Sequence, residues 1–229
     1  MISDSVTSPQ ASVWRIGLTG GIGSGKSYLC SRLEEKGFRI FYCDDEAKRI
    51  IRTDLAVRRE LQALVGSHLY DAEGHLVKSV LAGWLCRGRE WAARVDAIVH
   101  PRVAEAFVGR CHELAERQPR PSAVSPECRP PWRMLAASPA GCGPSRITLA
   151  DLTALPPTRT LIMECALLFE SGFDRLVDHS VLVHVSPATQ VARVMKRDGV
   201  TREQAESWIA LQMSEEEKMR RADAMIINE

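Results

Sequence analysis

The fold of this chain is decided by residues 13–27, which read VWRIGLTGGIGSGKS. The segment Val13–Leu18 is short, apolar and β-prone, and glycines follow it at once, which predicts a buried strand that runs into a tight turn. Ser27–Lys36 then has the apolar spacing of a helix, and Gly37 ends it. Arg39–Cys43 is a second strand candidate. A strand, a helix and another strand in so few residues predict a right-handed βαβ unit with a parallel sheet.

Residues Gly20–Ser27, called the phosphate loop below, match the pattern G-x-x-x-x-G-K-[ST]. Its glycines let the backbone turn tightly, so that successive N–H groups point inward at a β-phosphate. The helix that follows adds the positive end of its dipole. Lys26 is suited to bridge the β- and γ-phosphates, and the Ser27 hydroxyl is suited to ligate Mg²⁺. The pattern therefore predicts a nucleoside triphosphate site.

The phosphate loop predicts nucleotide binding but does not identify the reaction. A GTPase would need the guanine-reading pattern N-K-x-D, which the chain lacks. Asp71–Gly74 matches D-x-x-G, but it follows a predicted helix rather than a strand, so we interpret it as a turn. Glu164 ends a predicted strand, Thr160–Glu164, and is a candidate acid near the Mg²⁺.

Asp44 is a candidate catalytic base at the end of the second predicted strand. Ligands gather outside the carboxyl ends of parallel strands, where a carboxylate can orient an acceptor hydroxyl and take its proton. The alternative is that Asp44 or Asp45 caps a helix that begins near Glu46. The spacing alone leaves both interpretations open.

A basic helix face follows the predicted cap formed by Ser186 and Pro187. Gln190, Arg193 and Arg197 are spaced at i, i+3 and i+7, so they share one face. Arginines presented in this way can clamp phosphates and stabilise the charge of a transition state. The alternative is a solvated basic face without a ligand.

The rest of the chain divides into a helical part, a proline-rich part and a final ordered part. Residues from about 46 to 116 look almost wholly helical, and the Asp71–Gly74 turn separates the first two helices. Residues 118–159 are crowded with prolines, and we expect a long loop or a flexible insert there, because such a segment cannot propagate a helix or a central strand. Capping-box patterns predict helices after Thr201 and Ser214, and Ala224–Ile227 is a candidate edge strand.

Composition excludes several classes of function. The net charge of +1 gives no electrostatic footprint for duplex nucleic acid or for an anionic membrane, and no apolar stretch is long enough for a membrane span. Residues 1–12 form a polar tail without the apolar core of a secretory signal. The seven cysteines form no C-x-x-C pair, so we expect free thiols in a reducing cytoplasm rather than a zinc site or disulfides.

Taken together, the motifs resemble one family closely, the dephospho-coenzyme A kinases. The residues that carry the resemblance are Gly17–Ser27, Asp44, Ile98–Pro101, Leu167–Glu170, Gln190, Arg193, Arg197, Asp198, Gln212, Lys218, Ala222, Asp223 and Asn228. The resemblance spans essentially the whole chain except the N-terminal tail and the proline-rich segment. It implies transfer of the ATP γ-phosphoryl group to the ribose 3′-hydroxyl of dephospho-coenzyme A, the last step of coenzyme A synthesis.

The resemblance also implies an architecture and a set of ligands. It implies an α/β fold in which a P-loop kinase core, residues 13–45 and 160–229, has a parallel sheet flanked by helices. A helical acceptor-binding domain takes residues 46–117, and a helical lid lies near residues 187–213. The implied ligands are ATP as co-substrate, Mg²⁺ bound with it, and dephospho-coenzyme A. The oligomeric state is left open.

The resemblance assigns roles to individual residues. The implied catalytic residues are Lys26, Asp44 as the base, and the lid arginines Arg193 and Arg197. The implied ATP contacts are Gly20, Gly21, Ile22, Gly23, Ser24, Gly25, Lys26, Ser27, Tyr28 and Asn228, with Ser27 as the metal ligand. The implied acceptor contacts are Asp44, Lys78, His100, Leu168 and Glu170. For His100 the alternative is a structural residue that packs beside Pro101.

The chain departs from the family pattern at several places, of which three bear on the acceptor side. Tyr42-Cys43-Asp44 keeps only the second acid of the usual D-A-D, and Ala166 replaces the proline of the usual P-L-L-F-E. Lys78 stands where many members carry arginine, which keeps the charge but loses the bidentate fork. Two other interpretations stay open: a kinase of another small nucleotide or nucleoside, and a non-catalytic regulatory module that binds nucleotide.

Overall fold

The computed structural model describes residues 13–117 and 143–229, which divide between two compact units. The first unit comprises Met1–Phe41 and Arg110–Glu229, and the second comprises Tyr42–Gly109. The predicted polar tail, residues 1–12, and residues 118–142 of the predicted insert lie outside the described residues.

A six-stranded sheet in the order β2-β4-β1-β5-β6-β3 forms the first unit. Its strands are β1 (Trp14–Thr19), β2 (Arg39–Tyr42), β3 (Ser145–Arg146), β4 (Thr160–Glu164), β5 (His179–His184) and β6 (Ala224–Ile227). β1 pairs in parallel with β4 and β5, and β6 pairs in parallel with β5 and β3. The predicted α/β fold with a parallel sheet is confirmed.

The central strands explain why the sheet is parallel and covered by helices. In β1, β4 and β5 four successive residues are buried rather than every second one, which is typical of strands covered on both faces. The strand residues that are at most 1% exposed are Ile16, Leu18, Thr19, Thr160, Ile162, Met163, Leu182 and Val183. The core of this unit therefore lies on both sides of β1.

The helices are α1 (Lys26–Glu34), α2 (Cys43–Thr53), α3 (Leu55–Val65), α4 (Lys78–Leu85), α5 (Arg89–Glu116), α6 (Leu149–Thr153), α7 (Pro187–Asp198), α8 (Arg202–Ala210) and α9 (Glu215–Arg221). The predicted caps form. The Ser186 side chain accepts from the N–H of Thr189, and Thr201 forms a reciprocal capping box with Gln204. Ser214 accepts from the N–H of Glu217. Among the described residues, no helix is long and apolar enough to cross a membrane.

The second unit consists of α2, α3, α4 and the first part of α5. Asp54 caps α3 by accepting from the N–H groups of Ala56 and Val57. The predicted turn at Asp71–Gly74 is present, closed by a hydrogen bond from the Gly74 N–H to the Asp71 carbonyl. The apolar side chains buried in this unit include Val57, Leu61, Leu69, Trp84 and Val95. Its role as an acceptor-binding domain stays a prediction.

The prediction of a loop over residues 118–159 was wrong for residues 143–159. This stretch forms β3 and α6, and Thr148 and Asp151 make a reciprocal capping box at the start of α6. Ile147, Leu152 and Leu155 are at most 6% exposed. The prolines did not exclude this structure because those at 156 and 157 follow α6, where they do not interrupt its hydrogen bonds.

The prediction of β6 as an edge strand was also wrong. β6 lies between β5 and β3, and Ser145 and Arg146 pair with Ala224 and Met225. The outer strand β3 has only two residues, and no local pattern in the proline-rich sequence distinguishes it from a loop. The pairing partner of β6 is therefore a segment that sequence reasoning had assigned to the insert.

We predict that Leu152→Ala lowers the free energy of unfolding by about 2–4 kcal/mol, because Leu152 is 1% exposed and its loss leaves a cavity. Urea denaturation measures this change. The matched control is Leu167→Ala, the same substitution in the same unit at a leucine that is 41% exposed. For this control we expect the free energy of unfolding to fall by less than about 1 kcal/mol. Equal small losses in both variants would contradict a core role for residues 143–159.

Candidate nucleotide-binding site

The phosphate loop follows β1, at the place in the sheet where successive connections run to opposite sides. β1 lies between β4 and β5 in the sheet. After β1 the chain passes to β2, on the β4 side, and after β4 it passes over to β5, on the opposite side. In open α/β sheets, ligands bind outside the carboxyl ends of the strands at such a switch point. The fold therefore brings the phosphate loop to the position expected for a nucleotide.

Two glycines allow the backbone shape of the loop. Gly20 has a φ of 153°, and a Cβ there would lie 2.6 Å from the carbonyl oxygen of Val183 in β5. Gly25 has a φ of 89° and stands at the N-cap of α1. A glycine offers no side chain to cap the first turn of α1, so an anion can take that place at the positive end of the helix dipole.

Lys26 is buried and reaches across the loop. Its Nζ donates hydrogen bonds to the carbonyl oxygens of Gly20, at 2.7 Å, and Gly21, at 3.2 Å. Its side chain is only 9% exposed, so the ammonium is held close to the loop backbone. A cation in this position is suited to phosphate oxygens, which are stronger acceptors than carbonyl oxygens.

Side chains from distant segments hydrogen-bond to the backbone of the phosphate loop. Gln190 Nε2 in α7 donates to the Ile22 carbonyl at 2.8 Å, and the Ile22 N–H donates to Gln212 Oε1 at 2.8 Å. Asn228 Nδ2 donates to the Ser24 carbonyl at 2.8 Å. Because these groups are satisfied from outside, the loop keeps its shape without relying on a bound ligand.

Arg193 and Arg197, both predicted as phosphate clamps, differ in their surroundings. Arg193 Nη1 donates to the Asn228 carbonyl at 2.9 Å, close to the phosphate loop. Arg197 forms an ion pair with Asp198, with 2.7 Å between Nη2 and Oδ2. The hydrogen bonding between the two side chains raises the pKa of Arg197 and lowers the pKa of Asp198. The structure brings Arg193 to the loop and leaves Arg197 mostly exposed.

Asn228, predicted as an ATP contact, supports the loop backbone as well. Its side-chain N–H donates to the Ser24 carbonyl, and its backbone N–H donates to the carbonyl of His184, the last residue of β5. Gln190 and Gln212 belong to the residues of the resemblance, but sequence reasoning gave neither a role. Their contact with Ile22 joins residues far apart in sequence, and helical or strand periodicity carries no signal for such a contact.

Ser27 is exposed at the start of α1, and Tyr28 beside it is 61% exposed. Glu164 ends β4 and pairs in register with Leu18, two residues before the phosphate loop. A hydroxyl and a carboxylate are the oxygen ligands that Mg²⁺ prefers, with phosphate oxygens and water completing the shell. The residues present therefore fit a magnesium ion bound with a nucleotide. A metal site made of protein side chains alone is a different matter. Within the described residues, no group of three or more His, Cys, Asp or Glu side chains could hold a metal ion.

Leu168, a predicted acceptor contact, has its side chain in the core of the first unit, and its role as an acceptor contact stays a prediction. Leu168 is fully buried, and a Cβ at Gly17 would lie 2.8 Å from its Cδ2. The side chain therefore packs against β1, and the absence of a side chain at Gly17 makes room for it. Glu170 is exposed, and its Oε1 accepts from the Met213 N–H at 3.1 Å.

The second unit carries the remaining candidates, beginning with Asp44. Asp44 lies exposed in the first turn of α2. The helix begins at Cys43, about three residues earlier than expected, and its N-cap is Tyr42, so neither Asp44 nor Asp45 is the capping residue. The capping alternative is therefore wrong, and the role of Asp44 as a base stays a prediction.

Lys78 and His100 lie on two further helices of the second unit. Lys78 is exposed and is the first residue of α4. His100 lies in α5, directly before Pro101, and its Nε2 is 3.5 Å from Asp96 Oδ1, one turn earlier. The side chain of His100 is 29% exposed, so its ring is only partly available to a ligand.

Comparison with known proteins decides the family. A family model described as dephospho-CoA kinase matches residues 14–122 and 146–229. The dephospho-CoA kinase of Bacteroides fragilis strain YCH46 is 34% identical over 215 residues, which are 94% of this chain and 84% of that protein. The chain belongs to the dephospho-CoA kinase family. The dephospho-CoA kinase of Salinibacter ruber is 32% identical over 93% of this chain and 88% of its own length.

Two solved structures share the fold of this chain. The crystal structure of TT1252 from Thermus thermophilus is 26% identical and has a TM-score of 0.65 over 95% of this chain and 90% of that one. A dephospho-CoA kinase from Campylobacter jejuni has a TM-score of 0.58 over 93% of this chain and 87% of that one. At 18% identity, this second likeness shows the shared fold alone.

We predict that Gly20→Ala weakens ATP binding by more than about tenfold, because the new Cβ would collide with the Val183 carbonyl and displace the loop backbone. Isothermal titration calorimetry with ATP measures the change. The matched control is Gly199→Ala, where φ is +66° and no atom lies within 4 Å of the new Cβ. The control carries the backbone strain, about 1–2 kcal/mol, without the collision, and should bind ATP normally. Normal ATP binding by Gly20→Ala would contradict the assignment of the loop.

Proposed function

We propose that this chain transfers the γ-phosphoryl group of ATP to the ribose 3′-hydroxyl of dephospho-coenzyme A, forming coenzyme A and ADP. The observation that carries the proposal is the family match over residues 14–122 and 146–229, which includes the whole phosphate loop. The buried Lys26 and the externally supported loop backbone are suited to hold triphosphate oxygens.

In the proposed reaction, the acceptor oxygen attacks the γ-phosphorus and the bond from that phosphorus to the β–γ bridging oxygen breaks. The hydroxyl proton passes to the carboxylate of Asp44. Lys26 follows the charge that develops on the bridging oxygen, and Arg193 and Arg197 stabilise the charge on the transferred group. For Arg197 this role requires that its ion pair with Asp198 breaks. Because the pair is exposed, it contributes little free energy and breaking it costs little.

Mg²⁺ is proposed to bind with ATP, held by the Ser27 hydroxyl and with Glu164 near its shell. When bound, the ion neutralises charge on the β- and γ-phosphate oxygens. ATP and dephospho-coenzyme A are the proposed small-molecule substrates. Lys78, His100, Leu168 and Glu170 are proposed acceptor contacts.

We infer that residues 187–213 act as a lid that excludes water from the transfer, because a kinase that admits water hydrolyses ATP. Val191 and Val194 of α7 and Ala205 of α8 form a buried apolar cluster. Ile22 of the phosphate loop packs against this cluster. The contact supports coupling between the position of the lid and the shape of the loop.

A cytoplasmic location is proposed from the cysteines. Within the described residues no disulfide forms among the cysteines at positions 30, 43, 86, 111 and 165, as a reducing compartment favours. Burial raises the pKa of the Cys111 thiol to about 12, so this thiol stays protonated and unreactive at neutral pH.

We predict that ADP release from Mg-ATP depends on dephospho-coenzyme A and is not stimulated by adenosine or AMP. A coupled ADP assay with each acceptor, and without any acceptor, measures this dependence. If only another nucleotide stimulated ADP release, the assignment of the phosphate loop would stand, but the proposed acceptor would be wrong. ATP binding without stimulation by any acceptor would indicate a regulatory module instead of an enzyme.

We predict that Asp44→Asn lowers kcat by about 10²–10⁴-fold and leaves the affinity for ATP unchanged, because the amide cannot take the acceptor proton. Steady-state kinetics and ATP titration separate the two quantities. The matched control is Asp45→Asn, the same change at the neighbouring carboxylate, which forms an exposed ion pair with Lys48. A normal kcat in Asp44→Asn, or an equal loss in both variants, would remove the assignment of the base.

A further inference from the structure

Ile22 of the phosphate loop is held on both sides of its backbone by two glutamine side chains. Gln190 Nε2, in α7, donates to the Ile22 carbonyl at 2.8 Å, and Gln212 Oε1, just after α8, accepts from the Ile22 N–H at 2.8 Å. All three residues are partly buried. The proposed reaction gives neither glutamine a role. The two hydrogen bonds are called the amide clasp below.

The polarity of the amide clasp is fixed by the backbone of Ile22. A backbone N–H can only donate and a carbonyl can only accept, so Gln190 must present its NH₂ group and Gln212 its oxygen. The two side chains are of the same type but have opposite tasks. Because an ionised carboxylate has no donor, glutamate suits the task of Gln212 and does not suit that of Gln190.

The glycines beside Ile22 let the loop backbone approach α7 closely. A Cβ at Gly21 would collide with Gln190 Nε2. A Cβ at Gly23 would lie 2.9 Å from the Gln190 carbonyl oxygen and 2.9 Å from Val194 Cγ2. The loop therefore lies directly against α7, and a residue without a side chain on each side of Ile22 leaves room for that helix.

The side chain of Ile22 contacts the same part of the chain as its backbone. It packs against the buried apolar cluster of α7 and α8 described above, and Ile209, in the last turn of α8, packs against that cluster as well. The Gln212 N–H donates to the Ile209 carbonyl at 3.1 Å, which ties Gln212 to the end of α8. Ile22 is thus held at its N–H, its carbonyl and its side chain, each time by residues 187–213.

We propose that Gln190 and Gln212 are positioning residues that couple the phosphate loop to the lid, residues 187–213. Both act through the backbone of Ile22. A lid that moves away must break the amide clasp and leave the N–H and the carbonyl of Ile22 without these partners, which costs free energy. The clasp therefore favours the arrangement in which the lid lies on the loop and water is excluded. The inference rests on the proposed function in that residues 187–213 act as the lid of a phosphoryl transfer.

The test is the same substitution at both glutamines, Gln190→Glu and Gln212→Glu. Each adds one negative charge beside the loop, but Gln212→Glu keeps an acceptor for the Ile22 N–H, whereas Gln190→Glu turns an oxygen toward the Ile22 carbonyl. We expect kcat/KM for ATP to fall about tenfold or more in Gln190→Glu, because two acceptors then face each other, and to fall much less in Gln212→Glu. The control is Gln204→Glu in α8, an exposed residue whose Oε1 accepts from the Thr201 N–H, for which we expect no change.

A second measurement separates positioning from stability. We expect the rate of ATP hydrolysis without acceptor, divided by the rate of transfer to dephospho-coenzyme A, to rise several-fold in Gln190→Glu, because a displaced lid admits water. In Gln212→Glu this ratio should stay near the wild-type value. A loss of folded protein lowers both rates together, so the ratio reports on the lid even if Gln190→Glu is less stable.

Two outcomes overturn the proposal. In the first, Gln212→Glu lowers kcat/KM for ATP as much as Gln190→Glu or more, so that the polarity of the amide clasp has no effect. In the second, the ratio of hydrolysis to transfer in Gln190→Glu stays at the wild-type value, so that the glutamines act on stability alone. Wild-type protein that transfers phosphate to no acceptor would instead remove the proposed function, and the order of the ATP dissociation constants of the same variants would then test the clasp.

Discussion

The hydrogen bonds to the backbone of the phosphate loop are the constraint on which the rest of the structure depends. A tight glycine turn cannot satisfy all of its own polar groups, and unpaired buried backbone groups are costly. Here Gln190 and Gln212 satisfy the carbonyl and the N–H of Ile22, and Asn228 satisfies the carbonyl of Ser24. Three segments from the last third of the chain therefore support the shape of the loop.

The order of the strands brings those three segments to the loop. β5 lies beside β1, which ends at the phosphate loop, and α7 with Gln190 follows β5. β6 lies beside β5, and Asn228 follows it directly. β3 covers the outer side of β6, so residues 145–146 help to fix a strand that leads to the loop. Stability of the sheet and binding of a nucleotide are consequently linked, although most of the sheet contacts no ligand.

Sequence reasoning succeeded where the deciding interactions are local. The glycine pattern, β1, α1 and the caps at Ser186 and Thr201 depend on neighbouring residues, and all of them formed. It failed where partners are distant in sequence. β3 is recognisable only by its pairing with β6, and the burial of Leu168 depends on its packing against Gly17. The spacing of the arginines on α7 predicted that they share a face. It did not predict that Arg193 donates to the Asn228 carbonyl, or that Arg197 forms an ion pair with Asp198.

The central claim is that the nucleotide held by this loop donates its γ-phosphoryl group to one hydroxyl of the acceptor. The most direct measurement is ³¹P NMR of the product made from ATP and dephospho-coenzyme A, beside a reaction with the 3′-deoxy form of the acceptor. We expect a new phosphomonoester signal on the ribose 3′-oxygen and no transfer to the 3′-deoxy compound. Transfer to the 3′-deoxy compound, or a new phosphate at any other position, would contradict it.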